Sequence, residues 1–360
     1  MTFNHDIYPT DTPKEVAKPE PLIFTGTGSE YFRIWIVNLL LSVITFGIYS
    51  AWAKVRRTRY FYNSTRVAGS NFEYHGNPMA ILKGRIIAFS LIALYNLAFD
   101  ISGLLSLLMI IAVMAAAPWL IWKSLQFKLY NSSYRGIRFG FRGSLPDVYR
   151  VYLLWPLLSV CSAMLLAPLT HQRMKKFQHE ESRFGSTHFS FHATVGRFYL
   201  AYLTMFAIWL TGIVVISLTL GGSTLTVFAD ERNSMSDPIA VTAFFTFMLS
   251  LYAWLFVLFP LFTTLLQNLI WNNTCLCPHR FTSDMKWPRM VFIAVTNIVA
   301  IICTLGLFTP FAHIRTLKYR LECMTLLPAG SLDAFVADTQ IKASATGEGM
   351  TDLLDFDLSL

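Results

Sequence analysis

Few residues in this chain have the types and spacing that chemistry demands. Four histidines, His171, His179, His188 and His192, lie close together with Glu180 and Glu181 among them, and such a mixture binds zinc when its spacing converges on one centre. Their separations of eight, nine and four residues match no standard ligand set, so they read as solvated loop histidines. The run Cys275-Leu276-Cys277-Pro278-His279 offers three ligands but lacks a fourth at a recognisable spacing and has no partner cluster. His-Glu-x-x-His, Gly-x-Ser-x-Gly and a phosphate-binding loop do not occur. The expectation is a non-enzymatic protein with no metal and no cofactor.

Two other groups of side chains suggest binding. Lys54, Arg56, Arg57 and Arg59, and again Arg315, Lys318 and Arg320, follow aromatic residues (Tyr49 and Trp52; Phe308 and Phe311) at the ends of apolar runs. That order anchors a helix end at a bilayer and draws anionic headgroups, at about 1 kcal/mol per basic residue. Inside the runs, Asn38, Thr45 and Gly47 recur in the same order as Asn297, Thr304 and Gly306. The asparagines either hydrogen-bond between helices, the plainer reading, or meet a ligand.

The elements that must position these groups follow from composition. Of 360 residues 54% are hydrophobic and 14% charged, against about 25% charged in soluble domains. Charge-free stretches at 34–53, 101–122, 151–172, 198–229, 238–279 and 290–314 each reach about the 20 residues that cross a bilayer. The chain is therefore read as a multi-pass membrane protein. Residues 1–30 and 331–360 are net acidic, which leaves 31–330 with 26 basic against 10 acidic residues. Beside membrane spans that excess is a topology and lipid signal, so anionic lipids are expected as partners and nucleic acid is not.

Internal repetition is the sharpest feature. Residues 24–75 laid on 141–192 match at 11 of 52 positions, among them Phe24/Phe141, Gly26/Gly143, Arg33/Arg150, Arg56/Arg173 and His75/His192. Shared leucines would reflect composition alone, whereas these five in one register do not. A third copy near 281–325 aligns Asn297, Thr304, Gly306, Ala312, Arg315 and Tyr319 with the first. Stretches such as Asn71 to Gly76, Arg138 to Gly143 and His188 to His192 alternate aromatic with polar residues and predict short strands.

Phe24-x-Gly26, Thr45-Phe46-Gly47-Ile48-Tyr49, Trp52-Ala53, Arg56 to Tyr60, Asn63-Ser64-Thr65 and Phe72-x-Tyr74-x-Gly76 together resemble the YjgN-like family of bacterial inner-membrane proteins, a domain of unknown function. The resemblance covers nearly all of the chain outside its two tails, and the second repeat departs from it with Met164 in place of Gly47. It implies a bacterial cytoplasmic membrane and no assigned catalytic residue.

Topology stays open between two solutions. Linkers 54–85, 123–150, 173–197, 280–289 and 315–320 are basic, while the turn at Asp100 and the stretch 230–237 are not. The positive-inside rule then gives two plain hairpins, about 80–99 with 101–122 and about 198–220 with 239–271. Each repeat has basic residues at both ends. It either re-enters as a broken hairpin turning near Thr45-Phe46-Gly47, Ser162-Ala163-Met164 and Thr304-Leu305-Gly306, or spans once, giving seven spans and inverted repeats.

The expected fold is an all-α polytopic membrane protein with repeats of helical hairpins or broken helices near 24–76, 141–193 and 281–325, and short β strands at the cytoplasmic surface. A disordered head (1–30) and an acidic disordered tail (326–360) flank the transmembrane domain (31–325), with the C-terminus cytoplasmic. Handling of lipid or a small solute is the leading function, and a structural or assembly role the alternative.

Overall fold

The computed structural model describes residues 18–222, 238–333, 335–337 and 339. Its organising feature is one antiparallel sheet, in the order β1-β11-β10-β9-β8-β7-β6-β5-β4-β3-β2. Strand β1 (Glu20–Pro21) pairs with β11 (Met324–Leu327), and β2 (Ile23–Phe24) pairs with β3 (Thr65–Val67). Leu22, between β1 and β2, donates its N–H to Met324 O at 3.0 Å. Residues 20–24 are thus one short strand seated between the two ends of the meander, and the sheet closes on itself. Closure removes the unpaired edges that would otherwise be exposed beside a bilayer. The hairpins between are β3 with β4 (Ser70–Tyr74), β5 (Ser132–Tyr134) with β6 (Ile137–Phe141), β7 (Ser182–Phe184) with β8 (Thr187–Phe191), and β9 (Thr274–Leu276) with β10 (His279–Ser283).

Pairing in this register puts all the large aromatics on one face. Phe72, Phe139, Phe189 and Phe281 occupy the same place in four hairpins and stack in sequence at 6.4, 6.5 and 6.4 Å between ring centroids. Leu22, Val67, Met324 and Leu326 pack with Phe72, Tyr134 and Phe281, so the inside of the closed sheet is filled. Arg66, Arg138, Arg183 and Arg280 take the alternate, outward positions. The Phe-x-Gly motif has a mechanical reason: a Cβ on Gly26 would lie 2.7 Å from the Phe24 ring, and one on Gly143 2.8 Å from the Phe141 ring.

Between successive strands the chain leaves as helical hairpins, five in all among the described residues. Three are short: α1 (Gly28–Ile44) with α2 (Ser50–Asn63); α5 (Leu145–Tyr149), a π turn (Arg150–Leu154) and α6 (Trp155–Cys161), returning as α7 (Ala167–Glu180); and α10 (Trp287–Cys303) with α11 (Thr309–Glu322). Two are long: α3 (Pro78–Ile101) with α4 (Gly103–Tyr130), and α8 (Val195–Ile216, continued by a π turn to Gly221) with α9 (Pro238–Trp271). Each returning arm packs on the outgoing arm of the next unit, and α11 packs on α1, which closes the helices into a ring as well. Ala51, Pro118, Pro168, Pro260 and Pro310 are buried at one common place, fourteen residues before the following strand.

Lengths separate the two kinds of hairpin. The four long helices are apolar and long enough to cross a membrane, and their side chains are bare, with Leu104 68% and Ile101 73% exposed. At 1.5 Å per residue α4, with 28 residues, is about 42 Å long, against about 21 Å for the 14-residue α2. A hydrocarbon core is about 30 Å thick, which the long arms match and the 14-residue returning arms fall short of. Both ends of every hairpin return to the one sheet, which agrees with the re-entrant solution and not with seven spans. The two plain hairpins expected at 80–122 and 198–271 are the long ones.

Several expectations change. The protein is largely helical but not all-α, because its strands form one closed sheet that organises the whole chain. Local alternation reveals strands and cannot reveal that residues 20 and 326 meet. The repeat is fivefold, since the long apolar runs of α3, α4, α8 and α9 hide the shared hairpin design. The ordered part begins before residue 30 and extends beyond 326: Phe335 packs on His279 at 4.4 Å and on Phe184 at 6.4 Å, and Asp333 pairs with Arg135. The acidic-apolar run at 352–357 lies outside the described residues.

Candidate functional site: re-entrant tips and basic arms

The three short hairpins turn in one way. In the first, Phe46 and Gly47 take φ of 49° and 88°; Ala163 and Met164 take 49° and 68°, Leu305 and Gly306 50° and 92°. Left-handed backbone suits glycine and costs other residues about 1 to 2 kcal/mol, so Met164 stands where glycine serves the other two. Gly47 N, Met164 N and Gly306 N each donate to the carbonyl five residues back, Ser42 O, Ser159 O and Ile301 O, at 2.7, 2.7 and 2.8 Å. This satisfies carbonyls that the end of the outgoing helix leaves over. The Thr45 hydroxyl donates to Leu41 O (2.7 Å) and accepts from Tyr49 N (2.9 Å); that of Thr304 donates to Ala300 O (2.7 Å) and accepts from Phe308 N (3.0 Å). The candidate positions Thr45, Gly47, Thr304 and Gly306 are therefore committed to building the turn. Phe46 is 98% exposed and Leu305 95%, so each tip presents a large apolar side chain outward.

Between the arms the two asparagines differ. Asn297 Nδ2 donates to Ala312 O and Thr316 Oγ1, both at 3.2 Å, and its Oδ1 accepts from Arg315 Nη1 at 2.8 Å; Arg315 Nη2 reaches Thr296 Oγ1 at 3.1 Å. Asn297 and Arg315 thus lock the last hairpin. Asn38 is equally buried, but its Oδ1 has no partner among the described residues, and Arg56, at the register of Arg315, is exposed. In the middle hairpin the same two places hold Trp155 and Arg173, with the guanidinium 5.9 Å from the ring centroid.

The basic candidates divide similarly. Arg320 Nε donates to Gln267 Oε1 at 2.8 Å, and Lys318 lies 3.8 Å from Glu322, so the last arm spends its charges within the protein. Arg59 Nε reaches only Tyr74 O, at 3.3 Å, and Lys54, Arg56 and Arg57 have no carboxylate partner among the described residues. Burial, aided by Arg85, Arg57 and Lys128, holds Lys54 below the usual lysine range. Burial and Lys128 do the same to Lys175.

Arg85, Lys128 and Lys175 were not singled out by sequence. All three fell within the basic linkers 54–85, 123–150 and 173–197 without being distinguished from their neighbours, although Arg85 and Lys128 belong to the two long helices of one hairpin. A signal existed for Lys128, which lies four residues before its strand as Arg320 does. The histidines come no closer to a metal centre: His179 stacks on Phe191 at 5.3 Å, His171 meets Tyr202 Oη at 3.0 Å, and no group of three or more metal-ligating side chains converges among the described residues. Cys275 and Cys277 are free thiols on the closed sheet and its turn.

A closed ring of apolar hairpins hung from a closed sheet, four of its helices long enough to cross a bilayer, defines a helical membrane protein. Residues 19–353 match the family described as bacterial protein of unknown function (DUF898), and the chain belongs to that family. Among curated proteins it is similar to inner membrane protein YjgN of Escherichia coli O157:H7, 34% identical over 143 residues, and of Salmonella typhimurium, 31% over 146. Those alignments take in 38% of this chain and 34% and 35% of the relatives, so the matched part spans about a third of their length. No solved structure matches the chain.

Proposed function

We propose that the protein is a non-enzymatic inner-membrane protein that holds or handles anionic phospholipid of the cytoplasmic leaflet. The observation that supports this is the arm α2: an exposed apolar tip at Phe46, then Lys54, Arg56, Arg57 and Arg59 without a carboxylate partner among the described residues. Some 6 to 14 Å of helix separates those residues from the tip, which sets them near headgroup level when the tip lies in the hydrocarbon. The sheet belongs in the cytoplasm because its hairpins and linkers carry the basic excess, and the C-terminal segment goes with it.

The test is native mass spectrometry of the protein purified with its lipid. The quadruple variant K54Q/R56Q/R57Q/R59Q is expected to lose most bound anionic phospholipid, while K318Q, whose lysine already has Glu322, retains it. Unchanged lipid in the quadruple variant overturns the reading. A structural or assembly role is favoured over a through-conduit by the aromatic filling of the closed sheet, since Phe72, Phe139, Phe189 and Phe281 leave its axis occupied.

A further inference from the structure

The hairpin turns rim the end of the closed sheet that points away from the helices, and the chain beyond β11 crosses that end. Gly330, at a φ of 111°, turns it back over the strands in a conformation that glycine takes without strain. Leu332 packs with Leu22 and Val67, Asp333 pairs with Arg135 in the turn between β5 and β6, and Phe335 and Val336 pack on Ile137, Phe184 and Leu276. Thr339 is 2% exposed and rests on Gly185 in the turn between β7 and β8, where a Cβ would lie 2.6 Å from the Thr339 Cγ2. The sheet does not need this cover in order to close, since β1, Leu22 and β11 complete it by residue 327. Nor does Arg135 need it, because its guanidinium also donates to Ser70 Oγ at 3.0 Å and Ala68 O at 2.8 Å. The helical residues in the segment are fewer than the roughly 12 to 15 that an isolated helix needs, so its helix lasts only while it is seated.

One titratable group sits under the segment. His279 is 1% exposed, its ring meets that of Phe335 edge-on at 4.4 Å, and its Nδ1 accepts from Ala329 N at 3.1 Å. An accepting Nδ1 carries no proton, so the neutral ring holds its hydrogen on Nε2, which is buried with no partner among the described residues. A second proton would have to go to Nδ1, where it faces the Ala329 N–H, and the cation so formed would be buried without an anion. Burial accordingly keeps the His279 pKa below the ordinary 6.5. The other titratable groups on the elements around it are engaged elsewhere. Asp333 is held by Arg135, Tyr134 Oη donates to Val67 O at 2.8 Å, and Cys277 Sγ lies 3.5 Å from Ser190 Oγ. Arg183, His188, Cys275 and Arg280 take outward places on their strands.

We infer that residues 329–339 are a movable cover over the mouth of the closed sheet, latched by the neutral His279 ring and released when that ring takes a proton. Lifted, the ring titrates near 6.5; seated, it takes the second proton only at lower pH. The lifted state therefore binds more protons and gains population as pH falls below 6.5. This device stands apart from the proposed lipid role and shares no residue with it.

The test is hydrogen exchange of the peptide spanning 329–339, in the full chain in nanodiscs, at pH 7.5 and 5.5 and corrected for the intrinsic pH dependence of exchange. In wild type the corrected rate is expected to rise several-fold at pH 5.5, with a limit of about tenfold for one group that titrates at 6.5 when lifted. H279Q, whose side-chain carbonyl still accepts but takes no proton, should exchange at a rate independent of pH. H188Q and D333N should keep the step, D333N from a faster baseline because it loses the pair with Arg135. Loss of protection in H279Q at both pH values, with the step intact in H188Q and D333N, equally assigns the latch to the ring. A rise of less than twofold in wild type overturns the cover, and so does a step that persists in H279Q or disappears in H188Q or D333N. Exchange in β6 should stay constant; an equal rise there means that the sheet itself loosens, which overturns the cover as well.

Discussion

Arg315 Nη1 lies 2.8 Å from Asn297 Oδ1 and ties the two arms of the last hairpin, whereas the equivalent pair in the first, Arg56 and Asn38, leaves the asparagine oxygen buried and unpartnered. One repeat position is thus a finished bridge at one end of the ring and an open one at the other.

A double-mutant cycle should read that difference. Arg315→Gln with Asn297→Leu is expected to show a coupling of about 1.5 to 3 kcal/mol, the usual worth of a charge-assisted hydrogen bond. Arg56→Gln with Asn38→Leu should show almost none. Thermal unfolding of single and double variants in one detergent measures both, and equal couplings would refute the contrast.

The three tips offer a test of backbone strain. Met164→Gly should raise stability by about 1 kcal/mol, since the site already adopts a φ of 68° that glycine takes at no steric cost. Gly47→Ala and Gly306→Ala should lower it by a similar amount, with nothing within 4 Å of either added Cβ to confuse the result.

Gly212 tests how the second long hairpin closes. A Cβ there would lie 2.0 Å from the Trp254 indole, whose Nε1 donates to Trp209 O at 3.3 Å. Gly212→Val should therefore push α8 from α9 and sharply cut the yield of folded protein, and a companion Trp254→Ala should recover part of it. Loss of Trp254 alone is expected to be milder.

Single cysteines in a background lacking the five native ones would fix the side of the sheet. A cysteine at Ser186, in the turn between β7 and β8, should react with a membrane-impermeant maleimide in inverted vesicles and not in intact cells. Labelling from outside would put the basic hairpins on the periplasmic face and overturn the orientation.

His179 gives a pH dependence. Burial, assisted by Lys175, pushes its pKa down to about 4 from an ordinary 6.5, so the folded protein keeps the ring neutral against Phe191. Between these values the unfolded chain binds more protons, so stability is full above pH 6.5 and falls as pH drops towards 4. His179→Gln should flatten that slope.

The hairpin repeats were legible because their turn needs a hydroxyl and a small or proline residue at fixed spacing, which survive in all three short copies, while glycine in the left-handed place survives in two, Gly47 and Gly306. The closed sheet was only half legible. Alternation shows in Arg138 to Gly143, but two-residue pieces such as Glu20–Pro21 carry no pattern, and their partners lie some 300 residues away. Arg85, Lys128 and Lys175 were not legible as separate features because they come from three helices and share no spacing. Composition counted those residues correctly as a basic excess without placing any of them.

Among the described residues ten helical arms leave the sheet, and four of them continue well beyond the tips of the other six, so the cross-section narrows with distance from the sheet. In the proposed orientation such a wedge would displace more lipid area from the leaflet beside the sheet than from the far one, and a membrane holding many copies would relieve the imbalance by bulging towards the sheet.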